Sequence, residues 1–197
     1  DSLDDIEETN TLGWRLNHHF IARKSVSGKN DETVNRYREL GWIEFYQDYS
    51  FLDELDGDKT NARPWSDIHM DTRVFPFSFL SLKSELAWSP YTARFSTLNL
   101  NATLTSPRGD AVTTAYRYAL ETRESWYTRF DFQITRSLSI FHSFEKDLLR
   151  DETIEKRTGV FLNKDCWGMA VTLQESDLDT RVALMIHLKG IGEFGTQ

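Results

Sequence analysis

Ser96-Thr97-Leu98-Asn99-Leu100-Asn101-Ala102-Thr103-Leu104 alternates without a break, with Leu98, Leu100, Ala102 and Leu104 set against Thr97, Asn99, Asn101 and Thr103. A period of two puts successive side chains on opposite faces of a strand, so 96–104 predicts a strand with one apolar and one polar face. Upstream, 67–74 repeats the pattern: Ile68, Met70, Thr72 and Val74 oppose Asp67, His69, Asp71 and Arg73. Downstream it recurs at 111–120, at 125–134 and near the end, where Val182, Leu184, Ile186 and Leu188 oppose Ala183, Met185, His187 and Lys189. Weaker versions occupy 13–24, 37–51, 80–88, 138–146, 157–163 and 167–173. Turn formers separate them, such as Ser-Pro-Arg-Gly-Asp (106–110) and Asp-Gly-Asp-Lys (56–59). The expectation is an all-β antiparallel meander of about eleven strands.

The 197 residues carry 23 Lys and Arg against 31 Asp and Glu, a formal net charge of -8, which makes the chain a poor polyanion binder, and no nucleic-acid partner is expected. Aromatics make up 13%, too many for a disordered chain. No apolar run approaches the roughly 18 residues of a membrane helix, which leaves a membrane β-barrel open because its strands average out as polar. Residues 1–12 read as an acidic lead-in or loop, 13–192 as one uniform domain and 193–197 as a tail. The N-terminus shows no signal region, so a leader was cleaved or the chain starts inside a longer protein.

The polar faces carry Asp67, His69, Asp71, Arg73, Lys83, Glu85, Arg117, Arg129 and Asp131, mostly well inside the strands. A soluble sandwich tolerates these as a solvated outer face, and a wide barrel as a wet lumen. The apolar faces are full length with few charges, as a lipid-facing band requires. Trp14, Trp65, Trp88, Trp126 and Trp167 fall at or near predicted strand ends, where interfacial girdles sit, although tryptophans also pack at the ends of sandwich cores. On pattern alone the two architectures stay open.

No catalytic motif is present: no Gly-x-Ser-x-Gly elbow, no His-Glu-x-x-His and no phosphate loop. His18, His19, His69, His142 and His187 lack metal-ligand spacing, and adjacent His18 and His19 point to opposite faces of a strand. Asp67 and Asp71 sit about 13 Å apart on one strand face, too far for paired-carboxylate chemistry. Arg108-Gly109-Asp110 is a tight turn that needs glycine, and the glycosylation-like Asn101-Ala102-Thr103 lies inside a strand. Neither an enzyme nor a cofactor or metal site is expected.

Arg63-Pro64-Trp65-Ser66-Asp67, Leu80-Ser81-Leu82-Lys83 leading to Trp88-Ser89-Pro90-Tyr91, Ala93-Arg94-Phe95, Arg108-Gly109-Asp110 into Ala115-Tyr116-Arg117-Tyr118, Lys164-Asp165-Cys166-Trp167-Gly168-Met169 and His187-Leu188-Lys189-Gly190-Ile191-Gly192 follow one another in order. From about residue 33 to 192 this succession resembles the C-terminal barrel segment of the LptD, or organic solvent tolerance protein, family. The resemblance implies that 13–192 is part of a large outer-membrane β-barrel of a Gram-negative bacterium. Such a barrel delivers lipopolysaccharide to the outer leaflet, with a plug lipoprotein in its lumen and a seam between first and last strands that opens sideways. It implies a periplasmic lipopolysaccharide-bridge protein as a further partner, reached through an N-terminal domain absent from this sequence, and outer-membrane lipid around the wall. It also implies that Cys166 bonds to a cysteine near that domain; by itself Cys166 reads as a small buried hydrophobe. The chain departs from the family in holding fewer than half of such a barrel's strands and one cysteine where some members carry an adjacent pair.

If the Glu175–Asp179 hairpin is extracellular, alternation puts the 52–64 loop outside, and the Asn163–Cys166 turn and a rather long 25–36 connection on the periplasmic side. Under this reading Arg73, Lys83, Arg117, Arg129 and Lys189 are the candidate lumen contacts for lipopolysaccharide phosphates, softened by nearby Asp67, Asp71, Glu85 and Asp131. Val182, Leu184, Ile186 and Leu188 mark the last strand, 181–190, as the candidate gate edge. A soluble periplasmic sandwich that binds a lipid or sugar, and a general porin, are the alternatives.

Overall fold

The structure, a computed structural model, describes residues 10–27, 33–51, 63–188 and 192–196. They form twelve strands: β1 (Thr11–Ser27), β2 (Thr33–Ser50), β3 (Ile68–Phe77), β4 (Leu80–Ser89), β5 (Arg94–Thr105), β6 (Ala111–Ala119), β7 (Arg123–Gln133), β8 (Leu138–Asp147), β9 (Glu152–Asn163), β10 (Trp167–Ser176), β11 (Thr180–Leu188) and β12 (Gly192–Thr196). All twelve belong to one sheet in chain order, each strand hydrogen-bonded to its sequence neighbours. The predicted all-β meander is what the chain forms. The two facing sheets of a sandwich do not occur among the described residues.

The chain divides into two units, residues 1–74 with 84–98 and residues 75–83 with 99–197. In the first, β1 and β2 pair along their whole length, from Thr11↔Ser50 to Ser27↔Thr33. The ladder shifts register between Phe20 and Ile21, opposite Gly41. Gly41 has φ +150°, and a Cβ there would run into the Arg73 carbonyl, so this kink needs glycine. The Arg63–Asp67 motif is laced to the end of β2. Ser50 N donates to Pro64 O (2.7 Å), Ser66 N to Asp48 O (2.8 Å) and Gln47 Nε2 to Ser66 O (3.0 Å), while Trp65 packs edge-on against Tyr49.

In the second unit, β6 to β11 pair in continuous register with one bulge between Glu145 and Lys146. The 106–110 turn closes as expected, Ser106 N donating to Asp110 O (2.8 Å) with Gly109 at φ +103°. Asp110 Oδ1 accepts Gln133 N (2.9 Å) and so ties this turn to the end of β7.

Three boundaries differ from expectation. The 25–36 connection shrinks to residues 28–32, because the polar ends of β1 and β2 pair as far as Ser25↔Asn35 and beyond. Hydrogen bonding there owes nothing to apolar contrast, so alternation underestimates both strands. β1 starts at Thr11, inside the expected lead-in, while 1–9 lie outside the described residues. The expected tail is β12, paired from Leu184↔Thr196 to Leu188↔Gly192. Its five residues include two glycines and are too short to show a period. The 181–190 segment is therefore not the last strand, and β11 has partners on both sides.

Burial is inverted relative to a soluble core. The buried hydrophobic residues described are Ala87, Ala115, Phe141 and Ala170, whereas Trp14, Leu16, Phe20, Leu100, Leu104, Phe132, Val182 and Leu184 are exposed. Burying large apolar side chains is the main favourable term for a fold in water, and exposed apolar faces of this extent mark surfaces that meet a protein, a ligand or a membrane.

Candidate functional site on the polar face

The registers assign each side chain to a face. In the second unit, Val112, Phe130, Ile140 and Val160 align on the apolar face, as do Leu162, Met169 and Ile186. The opposite face carries Arg117, Ser125, Arg129, Asp131, Ser143, Glu145, Glu155, Arg157 and Gln174.

Glu145 is the centre of the strongest cluster. Its carboxylate accepts two hydrogen bonds from Arg117 Nη1 (3.1 Å each), one from Arg123 Nη2 (2.7 Å) and one from Ser125 Oγ (2.8 Å). Ser125 is fully buried beneath it, and the Arg117 guanidinium stands 5.3 Å from the Tyr127 ring centre. Next along β7, Arg129 grips Asp131 through Nε (2.8 and 3.0 Å) and Nη2 (2.7 Å). Its guanidinium lies 4.2 Å from the Phe141 ring centre, within cation–π range. Phe141 in turn covers Gly159, where any Cβ would strike the ring. Further on, Arg157 donates to Gln174 Oε1 (3.1 Å), Gln174 Nε2 donates to Glu155 (2.8 Å), and Glu155 pairs with Arg157 (3.1 Å). Arg157 Nε is buried with no hydrogen-bond partner among the described residues.

The first unit repeats the theme. Arg15 pairs with Glu44 (3.5 Å) and stands 5.3 Å from the Tyr46 ring centre, Asn17 donates to Glu44 (2.9 Å), and Tyr46 stacks on His69 at 4.6 Å. Ser96 Oγ donates to Asp67, one of the expected softening carboxylates.

Of the expected head-group contacts, Arg117 and Arg129 lie on adjacent strands and one face, each held by its own carboxylate. Arg73 sits on β3 opposite Trp42 and Lys83 on β4, and neither is free of interactions. Lys189 lies outside the described residues. Glu145, Arg123, Arg157 and Gln174 belong to no sequence motif, and only the register brings Glu145 to Arg117, 28 residues away. Cys166 is exposed in the 164–166 turn, which overturns its reading as a buried hydrophobe. Val182, Leu184, Ile186 and Leu188 share the apolar face of β11, away from the ionic ladder.

One observation from comparison decides the family: a family model for LptD, LPS transport system D, matches residues 1–144. The chain belongs to the LptD family. No curated protein matches it. LptD proteins serve lipopolysaccharide transport and assembly in the outer membrane of Gram-negative bacteria, a transport family rather than an enzyme family. The match covers β1 to β7 and most of β8. The Arg63–Asp67 motif and the Arg108–Tyr118 stretch lie inside it; the Cys166 hairpin and the His187–Gly192 stretch lie beyond it.

Proposed function

We propose that this LptD chain forms part of the outer-membrane translocon wall that places lipopolysaccharide in the outer leaflet. The carrying observation is the split between faces: exposed aliphatic and aromatic side chains on one, ion-paired arginines on the other. Lipid tails travel by the apolar wall, and the anionic sugar-phosphate head moves along the polar ladder. Arg73, Lys83, Arg117, Arg129 and Lys189 are its proposed contacts, joined by Arg157, whose partly exposed guanidinium pairs with Glu155. Carboxylates such as Glu145 and Asp131 already share the arginines, so a phosphate exchanges with a resident partner and is released easily.

Alternation of the described strands supports the orientation. On one end no two strands are separated by more than five residues; on the opposite end 90–93, 120–122, 148–151 and 177–179 are as short, and 51–67 is the one long connection. Barrels keep short turns in the periplasm and long loops outside. Cys166 is thereby exposed on the periplasmic side, the setting for a disulfide to a cysteine beyond this segment. The plug lipoprotein on the polar face, the periplasmic bridge protein and a gate that includes β11 with β12 complete the proposal. A β11 cross-link to the first strand of the full protein that left transport intact would overturn the gate.

The decisive experiment uses the full-length parent in outer membranes with Cys166→Ser and single spin labels at 98, 99, 100 and 101. Oxygen access at 98 and 100, alternating with nickel-reagent access at 99 and 101, is expected. Leucine positions without oxygen preference would mean their face is packed in protein, and the sandwich reading would return.

A further inference from the structure

The apolar face of the second unit ends in a notch that the ionic ladder does not use. Ser78 and Phe79 of the β3–β4 turn, Leu104 and Thr105 of β5, Pro107, and Val112 of β6 enclose about 430 Å³, within the range of small-molecule sites. Phe77 and Phe79 stack at 5.2 Å beside it, and both are about half exposed, as are Leu104, Phe132 and Ile134.

Two arginines lie in the turns at this end of the sheet. Arg108, in the turn that forms one wall, donates to Gln133 O (2.8 Å) and has no carboxylate partner among the described residues. Arg136, in the neighbouring 134–137 turn, makes no polar contact with any described residue. The nearby acid, Asp110, is committed to the turn: its carboxylate accepts Gln133 N (2.9 Å) and Ser106 Oγ (3.2 Å). Elsewhere in this unit Arg117, Arg123, Arg129, Arg157 and Arg181 all have carboxylate partners. Arg108 and Arg136 thus leave two guanidinium groups without a carboxylate partner among the described residues in the turns at this end of the unit, while Arg150, equally without one, lies in the 148–151 turn at the other end.

We infer that this notch binds an anionic glycerophospholipid, one acyl chain lying against Phe79, Leu104 and Val112 and the phosphate meeting Arg108 and Arg136. The inference rests on the membrane reading of the apolar face. A phospholipid fits better than lipopolysaccharide for two reasons: about 430 Å³ is small against the several chains of lipopolysaccharide, and the orientation proposed above puts this end in the periplasmic leaflet. Interfacial cations favour anionic lipids, roughly fivefold for one Lys or Arg near the surface.

The test uses the full-length protein with Phe79→Trp in vesicles of phosphatidylethanolamine and phosphatidylglycerol, with bromine on the acyl chains of one lipid at a time. The quenching that the Phe79→Trp protein shows beyond its Phe79 parent is expected to report brominated phosphatidylglycerol enriched at least about fivefold over brominated phosphatidylethanolamine. Arg136→Gln, which disturbs no contact, should lower that enrichment, Arg108→Gln with Arg136→Gln should abolish it, and Arg108→Lys with Arg136→Lys should retain much of it. Equal quenching by both lipids would overturn the site, as would displacement of the brominated lipid by lipopolysaccharide at equal or lower concentration. If no brominated lipid quenches while labels at 98 and 100 stay oxygen-accessible, this site alone fails; if both signals vanish, the membrane reading fails with it.

Discussion

Glu145 shows how one side chain organises a polar face. It brings a negative charge to Arg117 and Arg123 and an acceptor to buried Ser125, so its loss strands two cations and a hydroxyl together. Hydrogen bonds to charged groups contribute about 1.5–3 kcal/mol, discounted here because both arginines are partly exposed. Glu145→Gln should therefore destabilise the folded full-length protein by about 1–3 kcal/mol, seen as a lower urea midpoint in detergent micelles; an unchanged midpoint would show the cluster to be ornamental. Gly41→Ala puts a methyl group against the Arg73 carbonyl at φ +150°, and a cost of about 1–3 kcal/mol is expected by the same assay. At the exposed turns, Asp151 beside Lys146 and Asp179 beside Arg181 (2.6 Å) are held below the ordinary aspartate range by those hydrogen bonds. Both carboxylates accordingly stay charged to more acidic pH, and the pairings loosen only as pH falls through their lowered values. None of these pairings was legible beforehand, because a partner 28 residues away, as Glu145 is from Arg117, is set by register rather than by spacing.

A strand is the unit at which the apolar face takes its meaning. β11 presents Val182, Leu184, Ile186 and Leu188 to one side and Arg181, Ala183, Met185 and His187 to the other. If the first side meets lipid, Leu184→Lys near mid-strand should cost about 2–4 kcal/mol, whereas Met185→Lys on the wet side should cost far less. Refolding of the two full-length variants into vesicles measures the difference, and equal costs would refute a lipid-facing β11. This level was the most readable in the sequence, since 96–104, 125–134 and 181–189 state their faces through period-two contrast. It was least readable where contrast fails. Ser25 pairs with Asn35 through the ladder and through its Oγ donating to Asn35 Oδ1 (2.9 Å), which no hydropathy pattern signals, and β12 offers a single aromatic between glycines.

At the scale of the whole molecule, the alternation of strand directions makes a prediction about sides. An epitope inserted in the full-length protein between residues 56 and 57 should bind antibody on intact cells. One inserted between 165 and 166 should bind only after the outer membrane is permeabilised, and the reverse would invert the orientation. The face of the sheet, the meander order and the family were readable from residue types; which arginine answers which carboxylate was not. The meander order also has an evolutionary consequence. With every strand paired to its neighbours in sequence, duplication or loss of a hairpin leaves all later strands running in their former directions. Gain or loss of a single strand would reverse each one after it and carry Cys166 across the membrane. Lineages descending from such a chain can change their strand number in twos without rewriting what lies downstream.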